Sequence, residues 1–307
     1  MIGWVEPSSE TIEFNRQLEQ LLSEYPRVDQ ISASQARTER EEGRSAFGQL
    51  RLSDRAVERS IKTEVGTLRI RCFLPERPRG AYLHIHGGGW VLGGIHHQDP
   101  RLERLSETCD LAVLSVDYRL APEHPYPAAP DDCEAAALWL VENVATEFGT
   151  ERLLIGGESA GAHLSVVTLL RLRDRHGILP FAGANLVYGA YDLRLSQSCK
   201  AWGDRLLVLN TPITEYFVRS FVPSDRLEDP DVSPILADLA GLPPALFTVG
   251  TEDPLFDDTQ MMFERWRAAG NGAELAVYPG GAHGFDAFPI ALAEEALTRM
   301  YAFLESC

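Results

Sequence analysis

Leu153-Leu154-Ile155-Gly156-Gly157-Glu158-Ser159-Ala160-Gly161-Ala162-His163 is the stretch that decides the fold. A short apolar run, Leu153 to Ile155, has the length of a buried strand, and Gly161 to Arg175 carries apolar residues on one helical face. Between them lies Gly157-Glu158-Ser159-Ala160-Gly161, a match to G-x-S-x-G. That pattern sets a serine on a sharp, strained turn from strand to helix, and the flanking glycines let the two elements approach without Cβ clashes. The helix N-terminus then aims free N–H groups and the positive end of its dipole at a place where negative charge could develop. The five-residue pattern is common by chance, so its meaning comes from the strand before it and the helix after it.

Further apolar runs of strand length lie at Tyr82 to Ile85, Leu111 to Val116, Asn185 to Val187, Leu246 to Val249 and Leu275 to Tyr278. Longer helix-like stretches separate them, including Asp131 to Val144 and Asp257 to Ala269, the second following a Pro254 suited to a helix start. This alternation predicts an α/β protein whose mostly parallel, doubly wound sheet has helices on both faces. Ser60 to Leu74 precedes it as a hairpin turning near Gly66. Two segments break the rhythm: residues 1–50, polar and helix-prone with an apolar stripe of Ile12, Leu18, Leu21 and Leu22, and residues 191–223. Both are expected to fold over the carboxyl edge of the sheet as a helical cap, dividing the core into 51–190 and 224–307.

With 45% hydrophobic and 24% charged residues, the 307-residue chain can bury enough apolar surface to offset the entropy of ordering. Its formal charge of -17 repels phosphate backbones and anionic membranes on average, so nucleic acid is a poor candidate partner. The five cysteines, Cys72, Cys109, Cys133, Cys199 and Cys307, are odd in number and form no C-x-x-C pair, which argues against a disulfide framework or a zinc site. Met1-Ile-Gly-Trp-Val-Glu-Pro lacks a basic segment followed by an apolar one, and no run approaches a membrane span. A cytoplasmic protein without stable membrane insertion is the expectation.

Three more features carry chemistry. His86-Gly87-Gly88-Gly89-Trp90 ends the strand Tyr82 to Ile85, and its glycines expose backbone N–H groups to an approaching ligand. It lacks the Lys-Ser/Thr ending of a phosphate-binding loop. Among eight histidines, His283 in Gly280-Gly281-Ala282-His283-Gly284-Phe285 follows the last strand, where a loop can hold an imidazole over the serine. Asp253 in Gly250-Thr251-Glu252-Asp253-Pro254-Leu255-Phe256-Asp257-Asp258 follows the strand Leu246 to Val249. Serine, acid, histidine is the chain order of a hydrolytic triad in this kind of sheet. Glu252, Asp257 and Asp258 are rivals for the acid; Asp253 is preferred because it leaves the strand end just before a helix started by proline.

These motifs, with Asp117-Tyr-Arg-Leu-Ala-Pro-Glu123 and Pro127-Ala128-Ala129, resemble the hormone-sensitive lipase family of bacterial carboxylesterases over about residues 80 to 290. The resemblance implies an α/β-hydrolase fold with a cap and a triad of Ser159, Asp253 and His283. It also implies an oxyanion hole of the Gly88, Gly89 and Ala160 N–H groups, with no metal or cofactor. Glu158 departs from the pattern, where Asp or Thr is usual.

The chemistry so implied is acyl transfer: His283 takes the Ser159 proton, the ester forms an acyl-enzyme, and water releases the acid. Activity should climb with pH through roughly 6 to 7, where an ordinary imidazole loses its charge. Acyl chains of short to medium length on a small-molecule ester are expected, with Trp90, Tyr188, Trp202 and Phe285 as pocket aromatics equally suited to the core. Amide or peptide hydrolysis would use the same triad. A silent small-molecule receptor, as among plant hormone receptors that lack the histidine, is disfavoured by His283. The family also allows a homodimer.

Overall fold

Alternation within largely apolar strands divides the interior into two cores. Leu83, Leu114, Ile155, Leu186 and Phe247 turn to one face of the sheet, while their neighbours Tyr82, Val113, Leu154, Val187 and Leu246 turn to the other. Each such side chain contributes about 1.5–3 kcal/mol on full burial, so a strand apolar at every position is stable only when both faces are covered.

In the computed structural model, residues 6–307 are described. Met1–Val5, part of the expected N-terminal cap segment and of the opening inspected for a leader, lie outside the described residues. The strands are β1 (Val57–Thr63), β2 (Gly66–Phe73), β3 (Gly80–Ile85), β4 (Leu111–Val116), β5 (Leu153–Glu158), β6 (Phe181–Val187), β7 (Ala245–Glu252) and β8 (Ala273–Ala282). They form one sheet in the order β1-β2-β4-β3-β5-β6-β7-β8. β1 pairs antiparallel with β2, with Thr63 opposite Gly66, and β2 pairs antiparallel with β4. All pairings from β4 to β8 are parallel.

The helices are α1 (Ser9–Ser23), α2 (Ala33–Glu41), α3 (Asp99–Cys109), α4 (Ala128–Phe148), α5 (Ala160–His176), α6 (Gln197–Trp202), α7 (Thr211–Phe221), α8 (Phe256–Ala268) and α9 (Ala291–Ser306). Leu140 of α4, Leu169 of α5 and Met262 and Trp266 of α8 cover one face; Leu102 and Leu105 of α3 and Met300 and Leu304 of α9 cover the other. The chain passes from β3 to β4 on one side and then returns to lay β5 on the other side of β3. That reversal opens a crevice at the carboxyl ends of β3 and β5, the usual ligand position in open α/β sheets. The His86 loop and Ser159 both leave the sheet there.

α1 corrects one detail of the sequence reading. Its inward face is Thr11, Asn15, Leu18 and Leu22, while Ile12 is 58% and Leu21 38% exposed. Positions 11, 15, 18 and 22 follow the helical period, and 12 and 21 fall beside that line. Polar residues serve at its start because Asn15 donates from Nδ2 to the Gly280 carbonyl at 2.8 Å, beside the end of the sheet. Leu18 and Leu22 share a small cluster with Leu207 and Ala282, flanked by Phe14, Trp202 and Phe288. Among the described residues, no helix is long and apolar enough to cross a membrane.

Candidate active site

Ser159 stands between β5 and α5 with φ 56 and ψ -119, a conformation L-residues rarely adopt. Its N–H donates to the Val187 carbonyl at 2.9 Å, and its own carbonyl accepts the first turn's hydrogen bond from His163 N at 3.1 Å. Glycine flanks it because space is lacking: a Cβ on either Gly157 or Gly161 would strike the Ile85 carbonyl at the end of β3. The close approach of two strand ends thus dictates both glycines of the pattern.

Register brings the acid and the base together. Glu252 at the end of β7 pairs with Ala282 at the end of β8, so the residues that follow, Asp253 and His283, emerge side by side. His283 Nδ1 lies 2.9 Å from Asp253 Oδ2, and His283 Nε2 lies 3.0 Å from Ser159 Oγ. The other carboxylate oxygen, Oδ1, accepts from the Leu255 N–H at 2.8 Å, which locks the carboxylate in place. Because a carboxylate only accepts, His283 donates from Nδ1, and Nε2 is left to accept from the serine hydroxyl. Asp253 is 1% and His283 7% exposed, so these bonds are shielded from competing water.

The rival carboxylates are engaged elsewhere. Glu252 pairs with Arg205. Asp257 Oδ2 accepts from Ser198 N at 2.8 Å, and Asp258 Oδ1 accepts from Tyr191 N and Asp192 N at 2.8 and 2.9 Å. Other histidines are likewise committed. Burial pushes His163 down to about 4; its Nδ1 accepts from Trp90 Nε1 at 3.1 Å and its Nε2 donates to the Val232 carbonyl at 2.8 Å. His86 is also pushed down to about 4 by burial and donates from Nδ1 to the Gly87 carbonyl at 2.8 Å.

The glycine loop lies against the serine: a Cβ on Gly87 would come 3.4 Å from Ser159 Cβ. Gly88 and Gly89 take φ values of 114 and 60. Among the described residues, the N–H groups of Gly88, Gly89 and Ala160 donate to no protein acceptor. The Asp117–Glu123 stretch braces this loop from below. Tyr118 donates to the His86 carbonyl at 2.8 Å and stacks on its ring, Ala121 N donates to the Trp90 carbonyl at 2.9 Å, and Arg119 grips the buried Asp132.

Glu158 also belongs to the brace. Its Oε1 accepts from Gly87 N at 2.8 Å and from Gln98 Nε2 at 3.2 Å; its Oε2 lies 3.0 Å from His84 Nε2. Burial by itself would raise this carboxyl, but the His84 imidazole, nearby Arg101 and the Gly87 N–H outweigh burial and hold it at about 2. Arg101 is partly buried, 2.6 Å from Asp286 Oδ2, though not aligned as a hydrogen bond. Burial opposes its charge, and the Asp286 carboxylate more than offsets that.

The four aromatics expected in the pocket separate. Trp90 is 2% exposed and stacks on Phe221 with ring centroids 4.7 Å apart, and Phe285 is fully buried against Tyr278; both are core, because their rings fill space beneath the site. Tyr188 is buried as well, its ring centroid 4.7 Å from that of His283 and its hydroxyl donating to Asp286 Oδ1 at 2.5 Å, so it supports the imidazole from behind. Trp202 is partly exposed and donates to the Arg205 carbonyl at 2.8 Å. Sequence reasoning missed Phe217: its half-buried ring occupies the place a Cβ on Gly89 would need. Nothing in local spacing signals a contact between residues so far apart in the chain.

Comparison with known proteins bears on the fold and the class of activity. Residues 82–287 match the family described as alpha/beta hydrolase fold. The chain is 35% identical to carboxylesterase NlhH of Mycobacterium tuberculosis over 269 residues, 84% of this chain and 83% of that one. It is 31% identical to an ethyl acetate hydrolase of Pseudomonas putida, with 83% of each chain covered. A hyperthermophilic esterase from the archaeon Pyrobaculum calidifontis superposes with a TM-score of 0.88 at 29% identity, covering 98% of this chain and 99% of that one.

This chain therefore belongs to the α/β-hydrolase family. Within it, the protein is a carboxylic ester hydrolase of the hormone-sensitive lipase type, acting on small esters.

Proposed function

We propose that ester hydrolysis proceeds through an acyl-enzyme on Ser159, with His283 as general base and then general acid, Asp253 holding its tautomer, and the N–H groups of Gly88, Gly89 and Ala160 receiving the oxyanion. The observation that carries this reading is the unbroken relay from Asp253 Oδ2 to His283 at 2.9 Å and on to Ser159 Oγ at 3.0 Å. The hydroxyl proton passes to Nε2 as Oγ attacks the ester carbonyl, and the Asp253 carboxylate stabilises the imidazolium so formed. The alcohol leaves with that proton. A water molecule then attacks the acyl group by the same route, returning the proton to Oγ and freeing the acid. Each backbone donor aimed at the oxyanion lowers the barrier by roughly 3 to 4 kcal/mol.

Short to medium acyl chains fit the site best. Phe217 closes over Gly89, which restricts the space beside the expected oxyanion position. The similarity to an ethyl acetate hydrolase supports the same preference. Residues 1–50 and 191–223 act together as the cap, a reading supported by the Leu18, Leu22 and Leu207 cluster and by Arg205 donating to Glu19 at 2.6 Å. The five unpaired cysteines support a reducing, cytoplasmic setting.

Ser159→Ala tests the assignment, with p-nitrophenyl butyrate as substrate. Loss of about 10⁴-fold or more in kcat with the fold intact is expected; hydrolysis at the parent rate would refute it. A series of p-nitrophenyl esters should peak at short or medium chains, and a maximum at long chains would overturn that part.

A further inference from the structure

Glu41 closes α2, and His96 and His97 lie in the loop between the glycine motif and α3. The two histidines stand in a turn, closed by His97 N donating to the Gly94 carbonyl at 3.1 Å, and both imidazoles face one carboxylate. His96 Nε2 lies 2.9 Å from Glu41 Oε2, and His97 Nε2 lies 2.8 Å from Glu41 Oε1. The two rings stand perpendicular with centroids 4.7 Å apart, and the three ligand atoms all fall within 4.8 Å of one another. The mechanism uses none of the three.

We propose that Glu41, His96 and His97 form a binding site for a divalent transition-metal ion with the mixed nitrogen and oxygen preference of Zn²⁺, joining α2 to the loop that follows the oxyanion glycines. Imidazole and carboxylate ligands sit roughly 2.0–2.2 Å from zinc, so tetrahedral neighbours lie about 3.3 Å apart. The carboxylate oxygens already approach the imidazole nitrogens more closely than that, and entry of the ion requires the three donors to open around it. Two imidazoles and one carboxylate leave a fourth position for water, which the partial exposure of these side chains allows, at 28% for His96, 13% for His97 and 47% for Glu41.

The partners are held in register without the ion. Arg37, one turn before Glu41, donates from Nε to the Val91 carbonyl at 2.8 Å and from Nη2 to Glu123 at 2.9 Å, fixing α2 against the loop. The net charge of -17 attracts cations to the molecule as a whole. Arg40 is the opposing charge nearby; its guanidinium is turned to the Gly48 carbonyl at 2.8 Å and lies over the Phe47 ring.

The test is calorimetric titration of Zn²⁺ into the full chain after dialysis against a chelator, with Co²⁺ as the spectroscopic probe. One saturable Zn²⁺ per chain in the micromolar range is expected, with visible Co²⁺ bands of a low-coordinate nitrogen and oxygen site. At a hundredfold excess over Kd, Zn²⁺ should raise Tm by roughly 5 °C. A His96→Ala, His97→Ala double variant and a separate Glu41→Gln variant should lose the binding step and the rise in Tm while keeping esterase activity in chelator. Ser159→Ala and His283→Ala should retain both. Absence of saturable binding in the parent, binding that survives in the double variant, or binding that disappears with His283 would each overturn the proposal.

Discussion

The Gly87 N–H donates to Glu158 Oε1 at 2.8 Å, joining the glycine loop after β3 to the residue just before the Ser159 turn. One buried carboxylate thus fixes the distance between the candidate oxyanion donors and the candidate nucleophile. Glu158→Ala leaves the part-buried Gly87 N–H and Gln98 amide, and the buried His84 imidazole, without this acceptor. It should lower kcat/KM by about 100-fold and cost about 2–3 kcal/mol of stability. Glu158→Gln keeps one acceptor for Gly87, and its amide faces His84, which adapts by donating from Nδ1 to Ser115 Oγ, 3.0 Å away. That variant should stay within about tenfold of the parent. Steady-state kinetics and thermal melts on both variants check the contrast; equal losses would show that the carboxylate itself does not hold the loop.

The Leu255 N–H decides what Asp253→Asn would do. It donates to Asp253 Oδ1 at 2.8 Å, so asparagine must keep its carbonyl oxygen there and present its NH₂ to His283. Facing a donor, Nδ1 gives up its hydrogen, and Nε2 becomes the protonated nitrogen opposite Ser159. The imidazole can then no longer accept the serine proton. A fall in kcat of about 10⁴-fold with little change in KM is expected, measured on p-nitrophenyl butyrate. A loss under tenfold would remove Asp253 from the proposed relay.

Phe217 should act as a gauge of acyl length. Its ring fills the space above Gly89, so Phe217→Ala opens the floor of the cap to additional methylenes, each offering about 0.8 kcal/mol when buried. The optimum in a p-nitrophenyl ester series should move to longer chains, with kcat/KM for the short ones falling roughly three- to tenfold. An unchanged profile would place the acyl chain elsewhere.

Asp258 gives the fold a pH dependence of unusual sign. Burial raises its carboxyl to about 7, although the N–H groups of Tyr191 and Asp192 pull the other way. Since the folded state holds this proton more tightly than the unfolded chain, stability from this group is full below about pH 4. It is lost as pH climbs toward 7, a change of up to about 4 kcal/mol. Asp258→Asn keeps an acceptor for both N–H groups and cannot ionise, so its denaturant midpoint should vary less than the parent's between pH 4 and 7. Parallel curves would contradict the assignment. Glu158 acts in the opposite direction, its contribution being present above about pH 4.5 and lost as pH falls toward 2.

Sequence alone determined the layered fold and the chemistry-bearing types, because both depend on local rules. Nearly continuous apolar runs of strand length, such as Leu111 to Val116, read as strands covered on both faces, and a serine between glycines after such a run reads as a tight turn into a helix. Tertiary structure decided the rest. The place of Asp253 before Pro254 already set it ahead of Glu252, Asp257 and Asp258, but the geometric reason, the pairing of β7 with β8 and the partners that occupy each rival, appears only in three dimensions. Placing Phe217 above Gly89, and assigning Trp90 and Phe285 to the core, depended on contacts between segments far apart in the chain. Periodicity reports which face of an element is buried, whereas what that face meets is fixed only when the strands take their order and the helices close over them.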